Sequence, residues 1–90
     1  MAKEIVLFKS EERKDLQSLS AFLHQLADSL AQNRVILRQG TEEITLDIPN
    51  LVILELKVEE EDKKGKTKHT LEVEIEWTEG DESGGVVTLG

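Results

Sequence analysis

Ninety residues carrying a formal charge of −8, with an isoelectric point near 4.7, leave room for one hydrophobic core of modest size. With no cysteine there is neither a disulfide framework nor a thiolate metal cage, which suits a reducing compartment, and a cytoplasmic location is expected. The acidic field repels phosphate backbones and anionic lipid surfaces, so neither nucleic acid nor membrane is an expected partner.

The charge is uneven. Six basic residues stand against eight acidic ones up to Asn50, and five against eleven from Leu51 onward, so the electrostatic character lies in the second half. At the start, Ile5 to Phe8 is an apolar run of four, too short for a signal-peptide core or a membrane span. Lys3 to Lys9 is rich in β-formers and is expected to be a first strand.

Ser10 is a good helix N-cap, and Glu11, Glu12 and Asp15 add negative charge where it complements the helix dipole. Arg13 departs from the capping-box pattern. Leu16, Leu19, Leu23, Leu26 and Leu30 then recur at spacings of three and four, joined by Phe22, Ala27 and Ala31. That spacing predicts one apolar stripe on a helix from about Glu11 to Gln32, with Asn33 as its stop.

Arg34–Gln39 and Glu43–Ile48 flank Gly40-Thr41, and glycine at the first position of a two-residue loop suits a type II′ turn. If Gln39 faces Glu42, Leu37 meets Ile44 and Val35 meets Leu46 on one face. On the other, Arg38 meets Glu43 and Arg34 meets Asp47, so charge and hydropathy select the same register. Pro49-Asn50 turns the chain, and the run Leu51–Leu54 leaves a bulge open and the pairing across this turn undecided.

Leu51–Glu60 and Lys66–Thr78 are the longest expected strands, joined by a polar tip, Glu61 to Lys66, whose turn uses Gly65. His69, Leu71, Val73, Ile75 and Trp77 share one face of the later strand, with Thr70, Glu72, Glu74 and Glu76 on the other. The earlier strand places Val52, Leu54, Leu56 and Val58 inside and Glu55, Lys57 and Glu59 outside. In one allowed register Lys57 faces Glu72 and Glu55 faces Glu74, a like-charge pair. Beyond Thr78 lies an acidic, Gly-rich tail ending in the apolar segment Val86–Leu89, which frays or docks on the domain.

The order of these features resembles the amphi-Trp domain family. Phe8-Lys9-Ser10-Glu11-Glu12 precedes a helix bearing Leu26-Ala27-Asp28, a single Pro49 marks the later turn, and Leu71-Glu72-Val73-Glu74-Ile75-Glu76-Trp77 closes an amphipathic strand. The resemblance runs from about Lys3 to Trp77, with the tail outside it. It implies a small module without assigned function or catalytic residues, so no role passes to a position here.

Little chemistry is legible. His24 borders the helix stripe and His69 begins an inner strand face, but neither has the His or Cys partner spacing of a metal site, and border histidines are the ordinary reading. No serine sits in a nucleophile elbow, and no Gly-rich phosphate cradle or Walker lysine occurs. Glu55, Glu59, Glu72, Glu74 and Glu76 crowd one solvent face. That row suits solubility first, then a basic partner, then a hard cation. Lys63, Lys64, Lys66 and Lys68 make a basic tip without an aromatic platform, best read as a solubilising loop. Trp77 reads as a core-edge anchor.

The expected fold is α+β: a two-layer sandwich of one long helix on a mostly antiparallel sheet of four to five strands, in the order β-α-β-β-β-β. Residues 3–78 would form one domain and 79–90 a tail. A helix covers a strip about 10 Å wide, whereas four or five strands span roughly 19–24 Å. Part of the apolar sheet face, around Ile44, Val58, Leu71 and Ile75, therefore needs other cover. A non-enzymatic interaction or dimerisation module is expected, homodimeric or bound to an unidentified protein, of which a basic one would suit the acidic face. The alternative is a carrier of a small apolar ligand in a pocket between helix and sheet bordered by His24 and Trp77. No cofactor and no metal are expected.

Overall fold

The computed structural model describes residues 3–79. It contains one helix, α1 (Leu16–Ala31), and four strands, β1 (Arg34–Gln39), β2 (Glu42–Asp47), β3 (Ile53–Lys63) and β4 (Lys66–Glu76). The class is α+β as expected, with four strands among the described residues. They form two two-stranded antiparallel sheets, β1–β2 and β3–β4. The chain divides into two compact units, Met1–Ile48 and Pro49–Gly90, one sheet in each. The tail from residue 80 onward, with its Val86–Leu89 segment, lies outside the described residues.

Lys3–Lys9 is not a strand. Its apolar residues follow one another without alternation, so no single face can be buried, and Ile5, Val6 and Leu7 are exposed. Only Phe8 is partly withdrawn from solvent, in a cleft of about 210 Å³ lined also by Phe22 of α1 and by Ile36 and Leu37 of β1.

The helix begins later than the acidic run suggests. Asp15, in extended backbone, is the N-cap, its carboxylate accepting from the Ser18 N–H at 2.7 Å, so Ser10 has no capping role. That bond holds the Asp15 carboxyl below its ordinary value. Residues 11–14 precede the helix. Lys14 pairs with Glu12 at 2.7 Å. The resulting helix is about 24 Å long, shorter than the roughly 36 Å of β3 or β4.

At the other end Asn33 adopts a left-handed conformation, φ 61°, and stops the helix as its position suggests. It also ties the unit together: its side chain donates to the Ile48 carbonyl, and its own carbonyl accepts from the Ile48 N–H, each at 2.8 Å. The pairing of β1 with β2 starts next door at Arg34↔Asp47 and continues to Gln39↔Glu42, the register that charge and hydropathy selected. Gly40, φ 59°, supplies the positive angle at the first turn position. Arg34–Asp47 at 3.0 Å and Arg38–Glu43 at 2.6 Å are exposed ion pairs, which set register more than stability.

Val35 and Ile48 are the buried apolar residues, with Leu37, Ile44 and Leu46 half-buried beside them. On α1 the partly buried positions are Leu26, Ser29 and Leu30, all in its C-terminal half. The core of this unit is thus small and concentrated where α1, Asn33 and β1 meet.

In the second unit, β3 and β4 pair without a bulge from Ile53↔Glu76 to Lys63↔Lys66, so Glu61, Asp62 and Lys63 belong to the ladder rather than to a polar tip. Lys64 (φ 51°) and Gly65 (φ 77°) both take positive angles, the signature of a two-residue type I′ turn. Such a turn closes the ladder up to its last pair.

Val35→Ala should lower the unfolding free energy of the first unit by about 1–2.5 kcal/mol, measured by urea denaturation. Ile36→Ala, at the adjacent exposed position, should cost less than half as much. Gly65→Val should cost about 1–2 kcal/mol, because a β-carbon is strained at this backbone angle although the surrounding space is open.

Candidate functional site

The two faces of β3–β4 differ in chemistry because side chains alternate along each strand. One carries three stacked apolar pairs, Leu54↔Ile75, Leu56↔Val73 and Val58↔Leu71. Leu54, Leu56, Val58, Leu71 and Val73 are 60–77% exposed, and Ile75 is half-buried. Toward the turn this face becomes polar. His69 Nδ1 lies 3.6 Å from Glu60, and the Thr67 hydroxyl donates to Asp62 at 2.8 Å. At the opposite end Trp77 follows the last paired residue and is half-buried.

The other face is acidic. Glu55 faces Glu74 and Lys57 faces Glu72, the register left open by the sequence, while the Lys57 ammonium sits 3.6 Å from Glu59. One oxygen from each of Glu55, Glu74 and Glu76 falls within 4.8 Å of the others. A hydrogen bond shared with Glu55, followed by repulsion from Glu55, holds the Glu74 carboxyl above its ordinary value. All three residues are exposed, and sheet pairing, which sets Glu55 opposite Glu74, brings them together.

The candidate residues read from sequence separate into two groups. Val58, His69, Ile75 and Trp77 belong to the second unit, the first three on the apolar face of the hairpin, and Glu55, Glu59, Glu72, Glu74 and Glu76 share its acidic face. His24 belongs to the first unit, exposed on α1, where it lines an open groove of about 510 Å³ with Leu16, Leu19, Leu23 and Ala27. Leu54, Leu56 and Val73 were legible as inward-facing but not as site residues, whereas Leu71 was placed on the face needing cover. The same alternation carries both meanings, and only their exposure separates them.

The Amphi-Trp domain family model matches residues 1–89, so the match takes in the tail that the sequence motifs left outside. Among curated proteins and solved structures, none matches the chain. No helix among the described residues is long and apolar enough to cross a membrane.

Because the folded hairpin favours protonated Glu74, the folded state binds more protons than the unfolded chain across the window from the ordinary carboxylate value up to the raised one. Stability from this group therefore falls as pH rises through that window and recovers on acidification. Glu74→Gln should raise Tm at neutral pH and flatten this part of the pH profile, as followed by circular dichroism.

Proposed function

The chain belongs to the Amphi-Trp domain family, and on that footing we propose that it is a non-enzymatic protein-interaction or dimerisation module presenting the apolar face of β3–β4 to a protein partner. The observation that carries this reading is the ladder of three apolar cross-strand pairs open to water. A two-stranded hairpin is marginal by itself in water, and a patch this size on a monomer usually marks an interaction surface. The acidic row on the opposite face keeps the hairpin soluble and leaves its apolar face as the surface for association. Catalysis has little support, since the carboxylates occupy an open sheet face rather than a cleft.

A carrier of small apolar ligands is the second reading, favoured by the groove on α1 that includes His24. Thermal shift with decanoate and with 1-naphthol separates the two. A ligand at 100 times its Kd adds about 2.7 kcal/mol to stability. The interaction module predicts no saturable rise in Tm. A saturable rise abolished by Leu23→Glu would move the function to the groove.

A further inference from the structure

We infer that the partner of this face is a second copy of the chain, with two β3–β4 hairpins stacked apolar face to apolar face. The inference rests on the interaction reading above and names its occupant. It follows from area and from the distribution of charge.

The five exposed side chains and half-buried Ile75 present roughly 600 Å² of largely apolar surface, at the upper end of what monomers carry. Two such faces would bury about 1,200 Å² in total, the lower end of the standard range for stable complexes. The hairpin is about 36 Å long and two strands wide. A second flat, apolar, twisted sheet about 10 Å away matches that shape, as in a β-sandwich.

Charge decides how two copies at −8 approach each other. Between Leu54 and Val58, and between Leu71 and Ile75, the inward positions carry no charge, so face-to-face contact brings no like charges together. Glu55, Glu59, Glu72, Glu74 and Glu76 then point outward on opposite sides of the sandwich. Pairing by strand edges does the reverse. Joining β4 to β4 would set the row Glu72, Glu74 and Glu76 about 5 Å from its own copy, and joining β3 to β3 about Lys57 would set Glu55 opposite Glu59.

A two-fold axis through the Leu56↔Val73 pair makes the contact self-complementary, with Leu54 and Ile75 of one copy over Val58 and Leu71 of the other. The polar Glu60–His69 pair lies beyond the three apolar pairs, toward the Val52 and Trp77 end of the other copy.

Light scattering on a size-exclusion column, with variants at the proposed axis, tests this. The expected mass is twice 10.1 kDa at micromolar concentration, unchanged by high salt. Leu56→Glu and Leu56→Lys should each give monomers with unchanged circular dichroism, and an equimolar mixture of the two should recover the dimer. That recovery requires the face to meet itself, and it stays informative if one variant alone is partly unfolded. A dimer insensitive to both variants but lost in Leu19→Glu would overturn the inference by placing the interface on α1, with the module reading relocated.

A wild-type monomer whose β3–β4 amides exchange rapidly would overturn the homodimer and leave the face to a different protein. A monomer whose same amides exchange slowly would overturn homodimer and interaction reading together, because the chain then covers the face itself.

Discussion

An antiparallel hairpin satisfies the inner backbone groups of its two strands but covers neither face, and here one of those faces is apolar along three consecutive pairs. Nearly everything distinctive about the molecule follows from that shortage of cover. Helix α1 contributes no fully buried residue, and the buried apolar positions are Val35 and Ile48, both in the first unit. Hydrophobic burial is the main favourable term in folding, so the proposed association would stabilise a second unit built on an exposed ladder. The interaction reading is therefore also a statement about folding, since the dimer would supply the core that β3–β4 lacks.

The first unit illustrates how a small core is made sufficient. Asn33 stops the helix with a left-handed backbone and bonds Ile48 twice, so the end of α1 and the end of β2 are held at one point. The two arginine–carboxylate pairs add little stability at the surface but penalise a register slip, which would separate them and turn Val35 outward. In the second unit register comes from a tight Lys64-Gly65 turn and from apolar pairing. The acidic face works against it through Glu55 and Glu74. Charge guides the first hairpin and is tolerated in the second.

How much was legible in the sequence depended on whether local signals agreed. In β1–β2, turn chemistry, alternation and opposite charges all named one register, and that register is present pair for pair. The helix stripe was equally clear, but its start was not. Ser10 was the expected cap, but Asp15 takes that role, its carboxylate accepting from the Ser18 N–H. Lys3–Lys9 has strand composition without strand alternation, and composition alone did not order it. The inward positions of β3 and β4 were readable as a face, but whether that face is buried, shared or open is set by tertiary cover, which periodicity does not encode.

The most direct measurement is isotope-filtered NMR on an equimolar mixture of labelled and unlabelled chains, observing the methyl groups of Leu54, Leu56, Val58, Leu71 and Val73. Contacts between methyls of different copies are expected, strongest around Leu56 and Val73 and fading toward the Lys64-Gly65 turn. Contacts confined to methyls of one chain, with none between copies at any concentration, would contradict it.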